Sequence, residues 1–129
     1  MSSLTDDEIR IQVLRILYKE ARERPSGHRR LFRGVDIIQN ILNVDLNVLE
    51  FNMEYLGEKG LIELELGEDA EITAFGIDVV ERILLLEKES KKPKPDQGKI
   101  DRAVQWLKDN ADTIIPILVD LGLKIPHTS

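Results

Sequence analysis

Five arginines fall between residues 22 and 33, in the stretch Arg22-Glu-Arg-Pro-Ser-Gly-His-Arg-Arg-Leu-Phe-Arg33. A guanidinium group presents paired donors that match phosphate oxygens, so Arg22, Arg24, Arg29, Arg30 and Arg33 are candidates for phosphate contact. The plainer role is also open: arginines near a helix C-terminus favour its dipole, and others pair with acids elsewhere in the chain. Residues 10–33 hold eight bases (Arg10, Arg15, Lys19, Arg22, Arg24, Arg29, Arg30, Arg33) against Glu20 and Glu23. Residues 45–76 reverse the balance, with nine acids (Asp45, Glu50, Glu54, Glu58, Glu63, Glu65, Glu68, Asp69, Glu71) against Lys59 alone. The whole chain of 129 residues carries −6, so it is electrically polarised, and a polyanion would seek the first segment and avoid the second.

Catalysis finds little to work with. His28 and His127 are the two histidines, one in the arginine-rich loop and one near the C-terminus. There is no cysteine for a nucleophile, a disulfide or a thiolate zinc site. No glycine-rich loop ends in Lys-Ser or Lys-Thr, and Gly67-Glu-Asp-Ala-Glu71 is too short for a calcium-binding EF-hand loop. The expectation is a non-enzyme with no metal and no cofactor. No apolar run approaches the ~20 residues that cross a bilayer, and Met1-Ser-Ser-Leu-Thr-Asp-Asp lacks the basic and apolar regions of a signal peptide. The expected setting is the cytoplasm, with no membrane partner.

The elements that position these residues follow from periodicity and punctuation. Thr5-Asp-Asp-Glu8 is a capping box, and Ile9, Val13, Leu14, Ile16, Leu17 and Ala21 recur at helical spacing, which predicts a first helix over 5–23. Pro25-Ser-Gly27 breaks it, Leu31 and Phe32 suit a short strand before Gly34, and 35–42 suit a second helix. Asp45 is a natural N-cap for a third helix, whose Leu46, Leu49, Met53 and Leu56 define a buried stripe and whose end is Gly60 in the left-handed conformation. Ile62, Leu64 and Leu66 alternate with glutamates as a half-exposed strand does. Gly67-Glu-Asp69 turns the chain, 70–73 return as a second strand, and Thr73 caps a fourth helix reaching about Glu89. Two prolines and close-set lysines over 88–98 read as a linker. Beyond it, Ile100, Ala103, Val104 and Leu107 with Trp106 form an apolar stripe, and Ile114–Leu121 continue it after a break at 110–112, with Pro116 in the first turn of a new helix.

Tyr55-Leu-Gly-Glu-Lys-Gly-Leu-Ile62 followed by Ile72-Thr-Ala-Phe-Gly76 carries a family resemblance. It is similar to the junction from recognition helix to wing, "L-x-x-x-G-L-I", and to the return "T-x-x-G" into the last helix, of the winged helix-turn-helix family of bacterial and archaeal transcription regulators. The likeness covers about residues 5–89. It implies a mainly α fold with a small β-wing (helix, short strand, helix, helix, two-stranded wing, helix), to which the chain adds a C-terminal helical extension. The expected organisation is a winged-helix domain over 1–90, a Lys/Pro linker over 91–98, and an amphipathic extension over 99–129. Family members commonly dimerise through helices outside the winged core, so the resemblance implies a homodimer, with the extension and Trp106 as the candidate surface.

In such proteins the recognition helix enters the major groove with polar and basic side chains. The corresponding outward positions here are Asn47, Val48, Glu50, Phe51, Asn52, Glu54 and Tyr55, and the wing tip is Glu68-Asp69. Asn47 and Asn52 have the donor–acceptor pattern that reads adenine edges, but Glu50 and Glu54 repel phosphates. Phe51 and Tyr55 either wrap the edge of the core or form an aromatic contact patch. Two functions therefore stand. The first is a DNA-associated transcription regulator that contacts double-stranded DNA through 22–33 rather than through its acidic recognition helix. The alternative is an adaptor that docks a protein through Phe51, Tyr55, Glu50 and Glu54.

Overall fold

A computed structural model describes residues 4–23, 33–65 and 69–120, with the side chains of Arg33 and Asp120 left aside. The described chain is mainly helical with a small antiparallel sheet, and it divides into two compact units, Met1–Ile77 and Asp78–Ser129.

The first unit opens with α1 (Asp6–Glu23). Its capping box forms as expected: the Glu8 amide donates to Thr5 Oγ1 and the Thr5 amide to Glu8 Oε1, both at 3.1 Å. Ile9, Val13, Leu14 and Leu17 are buried, and so is Ile11, which lies off that stripe, so α1 is covered on more than one face. Then come β1 (Arg33–Gly34), α2 (Val35–Leu42) and α3 (Leu46–Glu58). Asn43 stands at φ 55 between the two helices, a left-handed C-cap of the kind asparagine tolerates. The strands β2 (Ile62–Glu65) and β3 (Asp69–Ile72) pair in the register Ile62 to Ile72 and Leu64 to Ala70. β1 joins the far side of β3, giving the order β1-β3-β2, so the short strand near Gly34 completes a three-stranded sheet.

One knot of contacts joins the end of α3 to the start of α4 (Ala74–Ser90). The Thr73 hydroxyl donates to the Gly60 carbonyl at 2.7 Å and accepts from the Gly76 amide at 3.0 Å, while the Thr73 amide donates to the Leu61 carbonyl at 3.1 Å. Gly60 has φ 75, the left-handed value expected from sequence. At Gly76 a Cβ would stand 2.2 Å from the Leu61 carbonyl oxygen, a distance only glycine permits.

Two expectations for this unit need correction. Leu46, placed in the buried stripe of α3, is 41% exposed; as the first helical residue it precedes the turn where Leu49 and Met53 meet the core. Asn52, placed outward, is fully buried. Glu71, one of the nine acids of this segment, is buried on β3 and so adds nothing to the acidic surface.

The second unit holds the remainder of α4, then α5 (Gln97–Asn110), a 3-10 turn (Asp112–Ile114) and α6 (Ile115–Asp120). Asp96 caps α5 by accepting from the Lys99 amide at 3.1 Å. Ala111, at φ −145 and ψ 54, breaks the helix where the sequence predicts, and Pro116 sits at the second residue of α6, where it costs no hydrogen bond. Ile100, Ala103, Val104, Leu107, Ile114, Ile117 and Leu118 are buried. Among the described residues, no helix is long and apolar enough to cross a membrane.

Candidate functional site

The candidate site is the outward face of α3. Asp45 sets the helix start: its carboxylate accepts from the amides of Asn47 at 2.8 Å and Val48 at 3.4 Å. Leu49, Met53 and Leu56 turn inward, which leaves Asn47, Val48, Glu50, Phe51 and Glu54 to solvent. Phe51 is 59% exposed, with Glu50 beside it, Glu54 three residues on and Glu58, also exposed, seven residues on along the same face. On α2, Ile37 and Ile41 are likewise exposed and lie four residues apart. The surface so formed is apolar at Phe51 and Val48 and acidic around them.

Asn52 is held away from this face. Its carbonyl oxygen accepts from Arg10 Nε at 2.8 Å, and its amide nitrogen donates to Asp6 Oδ1 at 3.0 Å and to the Val48 carbonyl at 2.9 Å. Both amide protons and the oxygen are thus used within the fold, so reading an adenine edge would require breaking a buried network. Tyr55 is half-buried, with the Arg10 guanidinium 3.7 Å from its ring centroid and the Lys59 ammonium at 5.5 Å. It belongs to the α1–α3 seam, and Phe51 alone of the two expected aromatics faces outward. Asp6 and Arg10, which clamp Asn52, have no contact with α3 assigned to them by the sequence. The available signal was their four-residue spacing on α1, which puts opposite charges on one helix face.

Of the candidate arginines, Arg22 is exposed in the last turn of α1, and Arg33 begins β1, its backbone paired with Ala70. Arg24, Arg29 and Arg30 lie outside the described residues, as do the Pro25-Ser-Gly27 break and the wing tip at Glu68. Asn47 is exposed on α3. Trp106, expected at an interface, is half-buried in its own unit, with the Arg82 guanidinium 4.0 Å over its ring. Among the described residues, no three His, Asp or Glu side chains group as a metal site would.

In the second unit Glu89 is buried at the end of α4. Its carboxylate accepts from the Lys92 ammonium and, at 2.9 Å, from the Asp96 amide. The Lys92 hydrogen bond first, and the Asp96 amide second, hold the Glu89 carboxyl below its ordinary range, against the opposing effect of burial.

No protein-family model, curated protein or solved structure matches the chain.

Proposed function

We propose that this chain is a non-catalytic winged helix-turn-helix protein whose third helix docks a protein partner. Support for the winged-helix reading comes from the element order, the three-stranded sheet and the knot joining Gly60, Leu61, Thr73 and Gly76, which brings the two halves of the family-like motif together. The observation that carries the docking reading is the exposed Phe51 set among Glu50, Glu54 and Glu58 on the face that a groove reader would turn to DNA. An exposed aromatic ringed by acids suits a protein surface with an apolar pocket and a basic rim, because the ring gains by leaving water and the carboxylates gain by pairing. Against phosphates the same acids repel. Comparing proteins retained from the native lysate by wild type, Phe51→Ala and the Glu50→Lys/Glu54→Lys pair tests it. A partner retained by wild type and lost by both variants supports the reading; an unchanged profile refutes it.

The DNA-associated reading has one observation of its own: Arg22 is exposed at the end of α1, where the arginine-rich segment begins. On that reading three to five arginines neutralise phosphates, and log K for duplex binding falls against log salt with a slope of about −3 to −4. Arg29→Glu/Arg30→Glu then abolishes binding, whereas Phe51→Ala leaves it intact.

Self-association through residues 99–129 is also part of the proposal. Val119, 59% exposed on α6, is an apolar side chain such contact would cover. Val119→Asp is expected to shift the mass measured by light scattering from dimer to monomer.

A further inference from the structure

The second unit contains an open groove of about 780 Å³ between α4 and α5, within the size range of small-molecule sites. Arg82, Lys88, Lys92, Lys99 and Arg102 line it against only Glu81 and Glu89, a cationic excess in a chain whose net charge is −6. Leu84, Leu85 and Trp106 supply apolar lining, with Leu84 exposed and Trp106 half-buried.

The five cations are not equivalent. Lys92 is bound to Glu89. Arg82 lies over Trp106 and donates to the Asp78 carbonyl at 3.2 Å. Lys88, Lys99 and Arg102 are exposed and form no ion pair within 4 Å among the described residues. Lys99 and Arg102 stand three apart on α5, on one side of the helix, and Lys88 faces the groove from α4. The connection between α4 and α5 is itself held by hydrogen bonds. Glu89 ties the α4–α5 connection through Lys92 and the Asp96 amide, and Asp96 caps α5. A ligand therefore need not organise the two helices before it binds.

We infer that this groove binds a small organic anion, its charged head on Lys88, Lys99 and Arg102 and its apolar body against Leu84, Leu85 and Trp106. The three exposed cations favour an anion, and the apolar lining gives a reason for that anion to carry a hydrocarbon or aromatic body. The phosphates of a duplex would meet the cations but leave the apolar lining without a partner, because the bases are stacked inside the helix. The site shares no residue with the α3 face and does not depend on the docking proposal.

Trp106 is the chain's one tryptophan, so its fluorescence reports on this groove. The full chain is titrated with octyl phosphate and octanoate (head and body), inorganic phosphate (head alone) and octanol (body alone). At least one of the two amphiphilic anions is expected to shift Trp106 emission saturably, with a dissociation constant of roughly 10⁻⁵ to 10⁻⁴ M. Preference between them identifies the head as phosphate or carboxylate. Phosphate alone and octanol are expected to bind at least about ten-fold more weakly, and Lys99→Glu/Arg102→Glu to weaken the amphiphile by about ten-fold or more. Lys99→Gln/Arg102→Gln repeats the test if far-ultraviolet circular dichroism shows the reversal variant misfolded. Octanol binding as tightly as the anions, unchanged binding in the charge variants, or no saturable signal up to about 1 mM by fluorescence and calorimetry overturns the inference. So does a Trp106 shift that tracks protein concentration without any probe, since the chain's own acidic side chains would then fill the groove.

Discussion

Arg10 and Asn52 are 42 residues apart in sequence and 2.8 Å apart in space, the guanidinium of α1 donating to the buried amide oxygen of α3. This bond turns what looks like a recognition-helix side chain into part of the structure, and leaves the outer face of α3 to Phe51 and its glutamates. Asn52→Ala should therefore cost about 1–3 kcal/mol, because the half-buried Arg10 guanidinium loses an acceptor and the buried amide's own hydrogen bonds are lost. Asn47→Ala, on the exposed face, should stay within about 0.5 kcal/mol of wild type. Urea denaturation of both variants checks the contrast.

Phe51 and Tyr55 should separate in the same way. Phe51→Ala removes a ring that is mostly in water and should leave the melting temperature nearly unchanged. Tyr55→Ala removes the ring beneath Arg10 and should cost about 1–2 kcal/mol, from lost burial and lost cation–π contact. Thermal melts followed by circular dichroism test this; equal losses would mean that both rings are structural.

Where β3 leads into α4, Gly76→Ala places a methyl group 2.2 Å from the Leu61 carbonyl oxygen. It should destabilise by about 3 kcal/mol or more. Gly60→Ala meets no neighbour and pays only for the left-handed backbone, about 1 kcal/mol. The ranking, read from denaturant midpoints, is the test.

Glu89 predicts a pH dependence. Its folded pKa lies below the ordinary value of 4.5, so its contribution is present above that value and is lost as pH falls through the lowered folded value. Stability measured from pH 6 downward should fall in the acid limb. Glu89→Gln should flatten that part of the limb attributable to the Lys92 and Asp96 contacts.

Local features were legible from the sequence because local physics decides them. The capping box at Thr5 and Glu8, the Asp45 cap, the left-handed Gly60, the Thr73 cap and Pro116 in the first turn of α6 each depend on neighbours within a few residues. Asn52 was misplaced because its burial depends on packing by α1, distant in sequence, and residue polarity alone points the other way. Leu46 was misplaced for the opposite reason: an apolar residue at the right spacing still stays in water when it precedes the first buried turn. The groove of the second unit was hidden because its cations are spread from Arg82 to Arg102 and read as a linker and a helix face. Only the turn built on Glu89 brings them around one hollow.

The central claim is that the outer face of α3 meets a protein. Placing a photo-crosslinking benzoylphenylalanine at position 51 in the native cell, with the same residue at Lys19 as an exposed control, measures this directly. The account predicts a discrete protein adduct at position 51 that is absent from the control and lost when Glu50 and Glu54 are changed to lysine. An adduct to DNA at position 51, or a protein pattern the same as that at position 19, would contradict it.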